Sequence, residues 1–297
     1  MTRAPQRPSG RHSVKKPASL PTAELPVLAT PPSVKLAPML GVLRWYFDPQ
    51  FLHLERASRT RPTLFVGNHA VWNVFDAMLF ADALYRERGI VLRPLSDRGH
   101  FRVPLWRDLV AQQGGVIGSR ENCSALMRRG ENILVFPGGA REVFKRKGEA
   151  YRLIWKERYG FVRLAIENGY TITPYATVGA EDSLDVLMDA GDYMRSPLGR
   201  ILRSTGIAER YLRGGEELPP LVRGVGLTPL PRPERMYFLV GRPIDMRPYR
   251  GRQEDPAILR RVRDRVARQL DRQIAEAREH RSSDTRLGAV RRLLNRL

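Results

Sequence analysis

Thr63-Leu64-Phe65-Val66-Gly67 is an apolar run too short for a helix and stopped by a glycine, and it is the first of a series. Ile90 to Leu95, Gly115 to Gly118, Ile133 to Phe136, Thr171 to Val178 and Arg235 to Val240 have the same character. Short apolar runs bounded by Gly or Pro read as buried strands. Between them lie longer segments whose apolar residues recur at helical spacing: Val74 to Tyr85, Leu105 to Gln112, and Tyr159 to Glu167, which closes at Asn168-Gly169. Strands alternating with helices predict an α/β fold, a central mostly parallel or mixed sheet flanked by helices. Asp255, an N-cap residue, and Pro256, at a first helical position, open a long C-terminal helix to about His280. Residues 183–233, rich in Gly, Pro and Leu, give no clear pattern.

The chain divides by composition. Residues 1–37 hold seven prolines, six Lys or Arg and a single acid, Glu24, a mixture that builds no core and is expected to be a disordered basic tail. Residues 38–248 carry the α/β pattern, entered through an apolar helix over Met39 to Phe47, and residues 249–297 are basic C-terminal helices. In the last of these, Leu287, Val290, Leu293, Leu294 and Leu297 share one face among Arg286, Arg291, Arg292 and Arg296. That pattern suits either a membrane interface or docking on the chain's own domain.

The formal net charge is +20 in 297 residues, carried mostly by Arg. Such a field attracts polyanions: nucleic acid, an anionic membrane surface, or phosphate-bearing substrates. A nucleic-acid partner is not expected, because no recognition helix and no aromatic-basic sheet face is evident. The single cysteine, Cys123, excludes an internal disulfide and a Cys-ligated zinc site. No run of apolar residues is long enough to span a bilayer, and the proline-broken N-terminus lacks a signal-peptide core, so a cytoplasmic chain touching a membrane peripherally is expected. There is no H-E-x-x-H, no P-loop and no full G-x-G-x-x-G, and no metal or cofactor is expected. His12, His53, His100 and His280 have no setting that suggests chemistry.

The sharpest local feature is Gly67-Asn68-His69, at the end of a strand and before a helix bearing Asp76. Active sites of α/β proteins sit at that end of their strands. A histidine oriented by a carboxylate is a candidate general base. Three more blocks follow: Gly118-Ser119-Arg120-Glu121-Asn122, then Val135-Phe136-Pro137-Gly138-Gly139-Ala140-Arg141-Glu142, then Ile172-Thr173-Pro174. In this order, over about residues 40–245, the four blocks resemble the glycerolipid (lysophospholipid) acyltransferase family. The resemblance implies an O-acyltransferase that moves a fatty acyl group from an acyl-CoA or acyl-carrier-protein thioester to a glycerolipid hydroxyl. It implies His69 as the base and Asp76 as the residue that holds the imidazole tautomer. It implies substrate contacts at Asn68, Arg120, Gly138, Gly139, Arg141 and Glu142, with Arg141 on a phosphate. The absence of a G-x-S-x-G elbow agrees with direct attack by the acceptor hydroxyl. The basic run Lys145-Arg146-Lys147 is expected to guide the phosphates of the acyl carrier.

Two departures bear on the acceptor. Six residues separate His69 from Asp76 where the family has four. In one continuous helix they would lie roughly 10 Å apart along the axis, so His69 must stand in the turn before the helix. Asn73 is then the expected cap and Asp97 an alternative orienting carboxylate. In the third block the acid of the common Pro-Glu-Gly pattern is missing at Gly138, and Glu142 appears four places later. Pro-Gly-Gly-Ala followed by Glu is similar to diacylglycerol acyltransferases, and the longer spacing to enzymes that make neutral lipids and esters. Lysophosphatidate, a step of phospholipid biosynthesis, and a neutral hydroxyl such as diacylglycerol or a long-chain alcohol therefore both stand as acceptors. A non-catalytic relative that only binds membranes is the remaining alternative.

Overall fold

Along every central strand the side chains divide between two faces. In β2 (Thr63–Gly67) Leu64 and Val66 enter one core cluster and Phe65 the other. In β5 (Asn132–Val135) Ile133 and Leu134 divide likewise, and in β9 (Tyr237–Val240) Tyr237 and Leu239 oppose Phe238 and Val240. Alternation with both faces apolar requires a sheet covered on both sides. The computed structural model describes residue 25 and residues 27–71, 75–206, 218–284 and 289–295.

The main sheet has seven strands in the order β1-β9-β6-β2-β5-β3-β4, where β1 is Gln50–Leu52, β3 Leu92–Ser96, β4 Val116–Ile117 and β6 Thr171–Val178. All its pairings are parallel except β6 with β9, so the sheet is mixed. Strands β7 (Asp185–Met188) and β8 (Leu221–Arg223) form a separate antiparallel pair in the segment that gave no pattern.

Among the described residues the helices are α1 (Pro32–Lys35), α2 (Ala37–Phe47), α3 (Phe75–Arg88), α4 (Pro104–Gln112), α5 (Arg120–Arg128), α6 (Gly139–Val143), α7 (Gly160–Glu167), α8 (Ala190–Arg195), α9 (Pro197–Ser204), α10 (Pro256–Ser283) and α11 (Ala289–Leu294). Helices α2 and α3 cover one face of the sheet with Leu40, Leu43, Phe47, Leu79 and Phe80; α5, α7 and α10 cover the other. Helix α10 opens as expected: the Asp255 carboxylate accepts from the Ala257 and Ile258 amides at 2.9 and 3.2 Å. Its buried Ile258, Val262, Val266, Leu270 and Ile274 recur at helical spacing and join the core of the sheet. Each contributes about 1.5–3 kcal/mol of apolar burial.

One expectation is revised, and of the two readings of the last helix the described residues show docking on the chain's own domain. Within the segment read as a disordered tail, Leu25 is buried with its carbonyl accepting from Arg129 at 2.9 Å, Pro32–Lys35 form a helical turn, and Leu36 packs on the core; these contacts give this stretch an anchor that composition does not reveal. In the last helix Arg291 faces inward. It donates to Asp48 and to the Trp45 and Tyr46 carbonyls, each at 3.1 Å, and so docks α11 on the end of α2. Arg286, Leu287, Arg296 and Leu297 lie outside the described residues. Among the described residues no helix is long and apolar enough to cross a membrane.

Candidate active site

From β2 the chain runs through α3 to β3, beyond β5; from β5 it runs to β6, on the opposite side of β2. Connections that leave two neighbouring strands in opposite directions open a crevice at their C-terminal ends. His69 stands there, two residues past Gly67, with α3 beginning at Phe75. It therefore lies in the turn before the helix, and Asp76 in the first helical turn. Asn73, the expected cap, lies outside the described residues.

The turn is held from below. Asn68 is fully buried, its amide donating to the Thr177 carbonyl and accepting from the Thr177 amide, both at 2.9 Å. Its hydrogen-bonding groups extend the pairing of β2 with β6, so Asn68 positions His69, where the resemblance implied a substrate contact. Gly67 is required because Tyr175, its partner across the ladder, lies against it; a Cβ there would meet the Tyr175 ring at 2.5 Å. Tyr175 in turn stacks on Phe80, with ring centroids 4.0 Å apart.

The His69 ring stacks on Phe136, the first residue after β5, at 4.2 Å between centroids. Burial and the Lys145 charge, with His100 behind them, pull its pKa down to about 3, so the imidazole is neutral and its lone pair is available. Its Nδ1 has no hydrogen-bond partner. Asp76 is fully buried, with its carboxylate accepting from the Ala77 amide at 2.6 Å. Burial, and the Glu181 charge to a lesser degree, push it up to about 7 against the pull of that amide. Asp97, the alternative partner, is turned away: it caps the 3₁₀ turn Arg98–Arg102 by accepting from Gly99 at 2.8 Å.

The third block forms the opposite wall. Gly139 has φ +51 and its amide donates to the Phe136 carbonyl at 3.0 Å, so this amide closes the turn instead of facing an anion. The glycine at 138 has another cause. The Glu142 side chain, one helical turn on, folds back over it, and a Cβ on Gly138 would collide with the carboxylate and Cβ of Glu142. Glu142 is fully buried, and burial pushes it up to about 7 in spite of Lys145 nearby. The arginine not singled out from the sequence, Arg158, donates to the Pro137 and Gly138 carbonyls at 2.9 and 2.6 Å.

The expected phosphate-binding cations are placed differently. Arg141 is buried and grips both carboxylate oxygens of Glu149, at 2.6 and 2.8 Å. Arg120 is exposed at the start of α5, on Glu167 at 3.1 Å. The basic run does not form one face either: Lys145 is buried on Glu181, and Lys147 pairs with Asp192 at 2.8 Å. Tyr175 and Glu181 reach the site from positions that no spacing marked, and Lys145, expected only as part of a basic surface run, is buried there instead. His100, set aside in the sequence, faces His69 electrostatically and accepts a hydrogen bond from the Trp106 indole. Among the described residues no group of three or more His, Cys, Asp or Glu is arranged to hold a metal.

A family model described as diacylglycerol acyltransferase matches residues 67–257, which contain both walls of this crevice. The chain belongs to the diacylglycerol acyltransferase family. Phytyl ester synthase 2, chloroplastic, of Arabidopsis thaliana is 32% identical over 65% of this chain and 29% of that protein. Diacylglycerol O-acyltransferase 2B of Umbelopsis ramanniana is 38% identical over 32% of this chain and 28% of that protein. This family member thus spans less than a third of the length of either relative. Among solved structures, the 1-acyl-sn-glycerophosphate (LPA) acyltransferase PlsC of Thermotoga maritima aligns at a TM-score of 0.46 and 12% identity, over 80% of this chain and 79% of that one.

Proposed function

We propose that the protein transfers a fatty acyl group from a thioester, of coenzyme A or of acyl-carrier protein, to the hydroxyl of a neutral lipid such as diacylglycerol or a long-chain alcohol. Neutral His69 takes the hydroxyl proton as the oxygen attacks the thioester carbonyl. The tetrahedral intermediate collapses with loss of the thiolate, and the imidazolium returns the proton to sulfur. Asp76 is the carboxylate for that imidazolium; catalytic hydrogen bonds of this kind tighten in the substrate complex.

The observation that carries the neutral acceptor is the state of the buried cations. Arg141 is spent on Glu149 and Lys145 on Glu181, while the carboxylates of Asp76 and Glu142 crowd the crevice. A phosphate placed there would meet acids and displace existing ion pairs; an uncharged acceptor meets neither cost. Family membership and the names of the two relatives support the same choice. We place the protein peripherally on the inner, cytoplasmic face of a membrane. The +20 charge favours an anionic surface, and α2 exposes Val42 and Trp45, 63% and 75% accessible.

The test is transfer by purified protein to diacylglycerol, a long-chain alcohol and lysophosphatidate, offered separately. His69→Ala is expected to lose about 10²–10⁴ of the rate while keeping its far-UV circular dichroism. An active His69→Ala protein sinks the base, and a preference for lysophosphatidate sinks the neutral acceptor.

A further inference from the structure

Among the described residues Lys145 is the buried lysine beside the site, and a network of hydrogen bonds and ion pairs holds its place. It follows α6 and pairs with Glu181, in the turn after β6; both side chains are 1% exposed. The other oxygen of Glu181 accepts from the Tyr151 amide. The Tyr151 hydroxyl donates to Asp182 and accepts from the Gly179 amide at 3.0 Å. Tyr151 itself has φ +61, a left-handed conformation that a tyrosine keeps only when its surroundings impose it. Helix α10 holds the far side: Arg278 lies 5.3 Å over the Tyr151 ring, and Arg281 bridges Asp182 and Glu234 at 2.9 and 2.8 Å.

A buried ion pair is a poor device for stability, since two desolvated charges gain little over well-packed apolar groups. What distinguishes this one is its company. Asp76 from α3, Glu142 from α6, Glu181 after β6 and His69 after β2 all lie within the field of the Lys145 ammonium, which acts on each of them to favour loss of a proton. Tyr175 of β6 faces Asp76 and Glu142, and His100, beside Asp97, faces His69. Three carboxylates and a base thus share one cation.

We infer that Lys145, held by Glu181, is a positioning residue of the His69 site, the shared cation that biases its buried groups toward losing their protons. The signs follow from electrostatics. Without Lys145 the carboxylates of Asp76 and Glu142 lose their common counter-charge and bind protons more tightly. Without the Glu181 charge the ammonium acts on them uncancelled, and they bind protons less tightly. A merely structural bolt moves neither.

The inference rests on the proposed acyl transfer only for its activity readout, so two readouts are taken. Full-length Lys145→Gln, Glu181→Gln and the double variant are compared with the parent. The acid limb of kcat/KM for acyl transfer to diacylglycerol and the melting temperature are both followed from pH 5 to 9. Lys145→Gln is expected to move the acid limb to higher pH by about one unit, Glu181→Gln to move it lower, and the double variant to lie between them. The pH at which the melting temperature stops falling should move in the same directions. Folded variants that leave both curves in place, or move them the same way, overturn the inference. If Lys145→Gln does not fold, Glu181→Gln and the double variant, which leaves no unpaired buried charge, decide. If the parent shows no transfer, the proposed function fails and the melting curves still decide the role of Lys145.

Discussion

The carboxylate of Glu142 occupies the space that a side chain on Gly138 would need. The common pattern of the wider acyltransferase group has an acid at the position of Gly138. Here the acid is one helical turn later and folds back over a glycine that must lack a Cβ to admit it. The glycine at 138 and the acid at 142 are thus two halves of one arrangement.

Moving the acid back tests this. Gly138→Glu alone puts two carboxylates in one buried space and is expected to cost on the order of 3 kcal/mol. Glu142→Gly alone removes the acid and lowers transfer. The double variant Gly138→Glu/Glu142→Gly should recover both stability and rate relative to either single change. Denaturant unfolding and transfer assays on the three proteins measure the coupling; additive effects would show that the two positions do not share one site.

Tyr175 offers a separation of stability from activity. Its hydroxyl is buried, has no hydrogen-bond partner, and faces Asp76 and Glu142. An unsatisfied buried hydroxyl costs stability, so Tyr175→Phe should melt no earlier than the parent and gain about 1 kcal/mol. Its transfer rate should nevertheless fall. Gly67→Ala, which drives a Cβ into the Tyr175 ring, should lose about 1–3 kcal/mol. Thermal unfolding beside a transfer assay distinguishes the two behaviours.

The strands that build the crevice were legible because burial on both faces writes itself as short apolar runs. β6 spans Thr171–Val178 as expected, β2 spans Thr63–Gly67, and α10 begins at its expected cap. Helix α5 does not announce itself as an apolar run, yet Ser119 caps it, accepting from Asn122 at 3.1 Å, and Cys123, Leu126 and Met127 recur at helical spacing. His69 was legible because its place at a strand end is local. Tyr175, Glu181 and the buried role of Lys145 were not. Their meaning depends on burial and on pairing across 36 residues between Lys145 and Glu181, which no local pattern encodes. Arg141 is the same case: its local sequence suits a phosphate ligand, but Glu149, eight residues on, already satisfies it.

Helix α10 is expected to be indispensable to the domain rather than an appendage. Leu270 is fully buried on it, and Gln273 beside it donates to the Leu239 carbonyl of β9 at 2.8 Å. Leu270→Ala should cost about 2–5 kcal/mol, through lost burial and the cavity left behind. A drop in melting temperature with the transfer chemistry retained below it is the expected result.

The pH dependence follows from Asp76 and Glu142, both pushed by burial up to about 7 from the ordinary carboxylate range. If the imidazolium formed at His69 needs an ionised carboxylate, kcat/KM should rise as pH increases through about 7 and level off above it, while His69, held near 3, stays neutral throughout. Stability should run the other way. A carboxyl whose folded pKa lies above its unfolded value binds its proton more tightly in the native state. Its contribution is therefore complete below about pH 4 and is lost as pH rises toward 7. Activity and melting temperature are thus expected to cross, the protein becoming more active and less stable between about pH 5 and 8. Asp76→Asn should flatten both curves, because the amide neither ionises nor carries the desolvation cost. An acid limb that persists unchanged in Asp76→Asn and in Glu142→Gln would assign it to another group.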